Sequence, residues 1–377
     1  MNSSAKGLTE SQAYNNGCQA TAKKLTWAIM NPLALTYNQC ADHLQQRYGG
    51  GAFHATALYR AFYRIPDLDV SRLPAFSASP SLARQISRDL RADDLPVVRR
   101  ACQDGVTKLV FALADGLEIE TVIIPMAHHT TVCISCQAGC RMACRFCETG
   151  QMGWQRNLTA AEIVSQVYTV KVRMGFDVRN VVFMGMGEPL DNFEAVTQSI
   201  RIMEDQRGLD IAKRHITLSS VGLVEGIERL ASLDWPQLRL AISLNAATDG
   251  LRRELMPIAR HNPLLDLKRV LGEYPLARGN AIFVEYVLIR GVNDTPAQAD
   301  QLAEYLQELP AKLNLIPYNP RRHSPYEAPT PLDIDRFQQA LIQRKVFVRL
   351  RSAKGSRIRA ACGQLGGSPL GPSQIPA

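Results

Sequence analysis

The sequence predicts an α/β fold: a partial (βα)6 barrel with a small helical N-terminal domain and a β-hairpin extension. Three observations carry that prediction. Strand-like apolar runs alternate with helix-length amphipathic stretches six times from Thr131 onward, the pattern of parallel strands joined by right-handed crossovers. Asp115-Gly116-Leu117 separates two β-rich runs, a hairpin signal. Residues 1 to about 100 instead carry apolar side chains at helical spacing.

Taken in order, Leu25–Met30, Ala34–Tyr48 and His54–Tyr63 read as helices, interleaved with Lys23, Lys24, Arg47, Arg60 and Arg64. Such a basic cap suits either RNA phosphates or a solvated helix bundle. Asp67–Pro80, rich in Pro and Ser, reads as a connector. Lys108–Ala114 and Glu118–Ile124 form the hairpin. The repeating strands are Thr131–Ser135, Val181–Met186, Ile216–Ser220, Leu238–Leu244, Ile282–Leu288 and Leu313–Pro317. Helical stretches follow them at about 159–174, 192–206, 223–232, 263–274, 296–308 and 332–344. Val346–Leu350 adds a last strand before a Gly-rich tail. The expected domains are 1–100 (helical accessory), 101–129 (hairpin extension), 130–365 (barrel core) and 366–377 (flexible tail). In such barrels the chemistry sits at the C-terminal ends of the strands.

Composition narrows the class. With 46% hydrophobic and 21% charged residues, the chain is neither globally disordered nor a coiled coil. No uninterrupted apolar run approaches the roughly eighteen residues of a membrane span. The best candidate, Leu25–Leu35, is broken by Asn31 and Pro32 and lacks a signal-peptide cleavage site. A soluble, cytoplasmic protein with no membrane partner is expected. The formal charge of +8 permits a polyanionic partner without demonstrating one.

The nine cysteines say more. Cys133, Cys136, Cys140, Cys144 and Cys147 cluster, while Cys18, Cys40, Cys102 and Cys362 are scattered. An odd count in a long chain without an export signal argues against a disulfide framework and for metal or redox chemistry. Cys140, Cys144 and Cys147 form a C-x3-C-x2-C after the first barrel strand. Three thiolates this close can ligate one iron–sulfur cluster and leave one iron open for a substrate or cofactor. Zinc is the rival, with Cys136 or Cys133 as fourth ligand. Zinc pairs usually repeat C-x2-C, the spacing of Cys133–Cys136 and of Cys144–Cys147, whereas Cys140–Cys144 is C-x3-C.

C-x3-C-x2-C after the first strand of a βα barrel resembles the radical S-adenosylmethionine (radical SAM) superfamily. Further motifs follow in order: Met184-Gly-Met-Gly-Glu-Pro-Leu190, Ser243-Leu-Asn-Ala246, Val284-Glu-Tyr-Val-Leu288 with Val292-Asn-Asp294, Asn314-Leu-Ile-Pro-Tyr-Asn319 and Ala361-Cys-Gly-Gln-Leu365. Together they resemble the dual-specificity rRNA/tRNA adenine-C2 methyltransferases and their C8-methylating antibiotic-resistance relatives. The likeness covers about Lys108 to Leu365; the N-terminal region resembles the family's accessory domain only loosely.

The resemblance implies a (βα)6 radical SAM barrel and an RNA methyltransferase acting on C2 of an adenosine in 23S rRNA, with tRNA as a further substrate. It implies a [4Fe-4S] cluster on Cys140, Cys144 and Cys147, and two S-adenosyl-L-methionine (SAM) molecules per turnover. SAM would be held by Gly187, Glu188, Ser219, the Ser243-Leu244-Asn245 segment and Asn319. Cys362 would carry the methyl group, and Cys133 would release product through a transient Cys133–Cys362 disulfide. Glu120 would abstract a proton or contact adenine, although strand alternation places Glu118 on the same face. A flavodoxin-type electron donor and a monomeric state are implied as well.

The alternatives are C8 methylation of 23S rRNA with the same cysteines, a different radical SAM reaction, or a zinc-stabilised RNA-binding module. Three positions depart from the family pattern: Asn245 where His is usual, Glu148 where a smaller residue is usual, and Cys136 where Ser is usual. Arg179, Lys213, Arg214, Arg321, Arg322, Arg351, Lys354, Arg357 and Arg359 are collectively the candidate phosphate contacts.

Overall fold

In the computed structural model, residues 30–92, 95–321 and 323–366 are described. Cys18, Lys23, Lys24, Arg322, the Leu25–Met30 helix apart from Met30, and the tail beyond 366 lie outside the described residues.

Ten strands bond edge to edge in one sheet. Four come first: β1 (Val97–Gln103), β2 (Val106–Ala112), β3 (Glu118–Pro125) and β4 (Thr130–Cys133), each antiparallel to the next. A separate two-stranded ribbon follows, β5 (Gln137–Gly139) with β6 (Trp154–Asn157). The main sheet resumes with β7 (Val178–Phe183), β8 (Ile216–Ser220), β9 (Arg239–Ser243), β10 (Ile282–Leu288), β11 (Ala311–Pro317) and β12 (Val348–Leu350). From β4 through β12 every pairing in that sheet is parallel.

Helices connect the parallel strands: Ala160–Tyr168, Phe193–Glu204, Val224–Ala231, Leu264–Gly272, Pro296–Leu306 and Pro331–Gln343. Three start where Thr159, Thr295 and Thr330 close capping boxes with Glu162, Gln298 and Asp333. Each box satisfies two of the amides that a helix start leaves without partners. The first helix stops short of 174, giving way to a π-turn over Thr169–Arg173. The expected alternation of six strands and helices is therefore the observed core.

Two details differ from expectation. A strand begins at Val97, inside the segment read as helical. Val97 and Val98 are exposed edge residues, so β1 lacks the buried alternation that marks a strand in sequence. The hairpin is also not free-standing: β3 bonds to β4 and extends the barrel sheet.

The helices Tyr37–Tyr48, Ala52–Phe62 and Pro80–Asp89 share one continuous apolar core with the barrel. Their seam is aromatic. Tyr168 stacks on Phe62 at 5.2 Å between centroids and meets Tyr63 edge-on at 6.0 Å. Beyond β12 the chain turns back over the face of β1–β3. Arg357 N donates to Gln103 Oε1 (2.9 Å) and Lys108 Nζ to the Arg359 carbonyl (3.3 Å). Among the described residues no helix is long and apolar enough to cross a membrane.

Tyr168→Ala removes the aromatic seam from a fully packed site. It is expected to cost about 3–5 kcal/mol, read as a lower midpoint in urea denaturation.

Candidate active site

The C-terminal ends of the parallel strands open into a cavity, where the ligand sites of such barrels lie. Cys140, Cys144 and Cys147 line one side. Gly187, Glu188, Ser219, Ser243, Asn245 and Asn319 line the strand ends, and Cys362 enters from the C-terminal segment. Cys133, Glu120 and Leu244 stand behind the wall.

The cysteine loop runs between β4 and the helix at Ala160, braced by the β5–β6 ribbon. Its short helix, Glu148–Gln151, packs hard on the loop backbone. A Cβ on Gly150 would lie 2.9 Å from both N and O of Cys144. Burial pushes the Cys140 thiol up to about 12 and raises Cys144 and Cys147 as well. Buried thiols become thiolates only against a cationic group, which a bound metal centre supplies. The donor set therefore fits an iron–sulfur cluster. No three His, Cys, Asp or Glu side chains among the described residues converge at single-ion spacing. Of the candidate fourth zinc ligands, Cys136 has its Sγ turned to the Met186 carbonyl (3.6 Å), while Cys133 ends β4 beside β7.

The SAM side is built on the turn after β7. Gly187 has φ +100°, and a Cβ there would sit 2.6 Å from the Gln137 Cβ, so only glycine fits. Glu188 is buried; its Oε1 accepts from Leu190 N (3.1 Å) and its Oε2 from Val221 N (2.8 Å). Burial raises its carboxyl to about 7, and the two backbone amides oppose that. The Ser220 side chain adds a third donor, and the carboxylate, with about four lone-pair sites, keeps one for a ligand ammonium.

Asn245 takes a left-handed backbone (φ +60°), which Asn adopts more readily than most residues. Its Oδ1 accepts from Val287 N (2.9 Å), and Nδ2 contacts Met256 Sδ (3.2 Å). The amide that replaces the usual His thus ties β9 to β10. Leu244 is buried behind the wall, its N–H donating to the Glu285 carbonyl (3.0 Å).

Cys362 rides on a loop docked at many points. Asn319 Nδ2 donates to the Cys362 carbonyl (3.2 Å), Glu148 N to that of Gly363 (2.8 Å), and Thr149 Oγ1 to that of Leu365 (2.7 Å). The loop is thereby fastened to the cysteine loop itself. Glu148 faces Arg359 at 3.6 Å, so the extra negative charge beside Cys147 has a cation opposite. The Cys362 thiol is packed round by protein, which raises it, yet it is open to the cavity.

Cys133 is buried and pushed up to about 12, in part by the nearby Cys362. The expected Cys133–Cys362 disulfide is not formed in this structure: both are free thiols. Glu120 is buried on β3 and bound to Lys108 Nζ (3.3 Å) and Gly366 N (3.1 Å). Glu118, on the same face, is exposed and pairs with Arg99. Coverage by the C-terminal segment is what separates the two glutamates.

Sequence reasoning missed a polar group in the wall. Glu285 on β10 accepts from Asn314 Nδ2 (2.8 Å) and pairs with Arg351 (3.3 Å). The available signal was a carboxylate inside an otherwise apolar strand. Arg351 therefore belongs to the cavity. Lys213, Arg357 and Arg359 also face carboxylates, those of Glu204, Asp104 and Glu148. These basic residues are engaged within the fold.

Residues 134–303 match the radical SAM superfamily. A probable dual-specificity RNA methyltransferase RlmN 1 of Protochlamydia amoebophila is 38% identical over 338 residues, covering 90% of this chain and 94% of that one. The dual-specificity RNA methyltransferase RlmN of Geobacter sulfurreducens is 44% identical over 298 residues, covering 78% and 82%. The crystal structure of a radical SAM methyltransferase from Sphaerobacter thermophilus superposes with a TM-score of 0.81 at 38% identity, covering 89% of this chain and 99% of that one. The likeness spans nearly the full relatives and includes the strand ends and cysteine loop, so the chain belongs to the dual-specificity RNA methyltransferase family of the radical SAM superfamily.

Proposed function

We propose that this chain methylates C2 of an adenosine in rRNA, and in tRNA as well, through a methylcysteine on Cys362. The observation that supports this reading is one cavity lined by Cys140, Cys144 and Cys147 and by Cys362 on a separate docked loop, with Cys133 close behind. C2 of adenine is electron-poor and lacks a lone pair, so it does not attack a methyl sulfonium directly, whereas a radical route is open. Cys140, Cys144 and Cys147 would hold a [4Fe-4S] cluster, which would supply the one-electron chemistry: an electron for SAM cleavage and an acceptor for the electron that the RNA adduct gives up.

The chain's own residues perform the remaining work. The Cys362 thiolate takes a methyl group from one SAM; its S–C bond forms as the sulfonium S–C bond breaks. A second SAM serves as the radical source that removes hydrogen from that methyl, so two are used per turnover. Once the carbon has added to the base, Glu120 accepts the proton from the adduct carbon. The Cys133 thiolate then attacks Cys362 sulfur. The S–S bond forms and the S–C bond to the RNA methylene breaks, its electron pair leaving on carbon to be protonated. A reductant must then reopen the disulfide. Glu188 accepts from the SAM ammonium, and Gly187, Ser219, Ser243 and Asn319 shape the site around it. A flavodoxin-type protein feeds the cluster, and the enzyme works as a cytoplasmic monomer.

Mass spectrometry of anaerobically purified protein tests the reading. A methyl group on Cys362 with about four irons per chain is expected; iron without the methyl after SAM incubation overturns it. Cys133→Ala is expected to accumulate a Cys362-dependent RNA crosslink on denaturing gels. Cys362→Ala should still cleave SAM and transfer no methyl. Glu188→Gln should weaken SAM binding by about tenfold or more, the worth of a hydrogen bond to a charged group, read by equilibrium dialysis on cluster-loaded protein.

A further inference from the structure

Lys108 lies in the middle of β2, in the run Val106–Ala112, and its side chain has no solvent exposure. An ammonium buried among apolar strand residues is costly unless its donors are satisfied. Register explains which partners it finds. Lys108 is opposite Val122 and Val110 is opposite Glu120, so Lys108 and Glu120 are diagonal neighbours on one face. Lys108 Nζ donates to Glu120 Oε1 and to the Arg359 carbonyl, both at 3.3 Å. The other carboxylate oxygen of Glu120, Oε2, accepts from Gly366 N at 3.1 Å. The pair thus grips both ends of the segment 359–366, whose middle is Cys362. Burial pulls the Lys108 ammonium down and Glu120 opposes that.

We propose that Lys108 is a positioning residue for the reaction: one buried cation holds the Glu120 carboxylate and the Arg359 carbonyl together, fixing the base relative to the loop that carries Cys362. This rests on the reading of Glu120 as base and Cys362 as methyl carrier. The two groups come from elements far apart in the chain and must meet at a single adduct carbon. Lys108 touches the base itself and the start of the carrier loop, and Glu120 reaches the loop's other end at Gly366 N. The remaining loop contacts, from Asn319, Glu148 and Thr149, do not involve Lys108. They keep Cys362 at the cavity without it, so the two halves of the reaction separate in a variant.

The test is Lys108→Met beside Glu120→Gln, with three readouts: methylation of Cys362 by SAM, the RNA–protein adduct, and free methylated RNA. Lys108→Met is expected to methylate Cys362 normally and to accumulate adduct, with release of RNA slowed about 10- to 100-fold, the scale of a small misplacement. A merely structural role would lower the melting temperature and all three readouts together. Lys108→Gln retains a donor for the Arg359 carbonyl and serves if the Met variant does not fold; it is expected to accumulate adduct at a melting temperature near that of the parent. Wild-type release without adduct in either variant overturns the proposal. So does loss of Cys362 methylation in a folded variant, which would reduce Lys108 to a support of the loop. Glu120→Gln separates the two readings. If it releases RNA normally, the assignment of the base fails; if it accumulates adduct while the Lys108 variants do not, only the present proposal fails.

Discussion

Strand β4 is bonded antiparallel to β3 on one edge and parallel to β7 on the other, and the placement of every reactive group depends on that junction. Cys133, its last residue, pairs across with Val122 and Val182. Two residues later Ser135 Oγ donates to the Glu120 carbonyl (2.6 Å) and accepts from Met186 N (2.9 Å). Gln166 closes the junction from the helix side. Its Oε1 accepts from Ser135 N (2.8 Å) and Thr121 Oγ1 (2.7 Å), and its Nε2 donates to the Ser135 carbonyl (2.9 Å). A buried polar network satisfied at this many points specifies one arrangement, because any slip leaves an amide or hydroxyl unpaired in a low-dielectric interior. The hairpin extension, the cysteine loop and the turn before Glu188 are thereby fixed to one another.

The second layer of order is the C-terminal segment. It approaches from β12, on the far side of the parallel sheet, and is fastened to elements that the β4 junction has already fixed. These fastenings combine hydrogen bonds between backbone groups and single side chains with an apolar anchor, since Ala360 and Leu365 are buried in the main core. The cavity wall is fixed likewise: its polar members Glu188, Asn245 and Glu285 are all buried and hydrogen-bonded.

Much of this was legible in the sequence, for identifiable reasons. β8 and β10 have the predicted bounds because parallel strands buried on both faces read as apolar runs. The three cysteines stand out because a loop ligating one centre compresses its ligands into a short span. The illegible parts share another feature. β1 is an exposed edge strand, and the β5–β6 ribbon and the helix Asp249–Leu255 are too short to show periodicity. Lys108 and Arg359 are 251 residues apart, and Glu285 and Arg351 are 66 apart. A charged residue within an apolar strand announces that a partner exists; only the fold names it. Glu148 and Asn245 are likewise understood from what the fold puts around them, an arginine 3.6 Å away in one case and a left-handed backbone in the other.

The contrast between the two thiols outside the cluster motif follows from the same geometry and gives the proposed chemistry its order. Cys362 opens to the cavity, while Cys133 is buried with its thiol pushed up to about 12. Methyl acceptance and disulfide formation both require a thiolate. A Cys133 shut away from the cavity would not compete for the methyl group, and it could displace at Cys362 sulfur only once the S–C bond to the RNA methylene is there to break. Arg351 counters burial at both sulfurs, and its own charge is held by buried Glu285. Each thiol therefore reacts according to how far the loop brings it toward that guanidinium and away from apolar surroundings. On the proposed chemistry the order of reaction would follow from access and local dielectric, with no need for different intrinsic reactivity in two identical side chains.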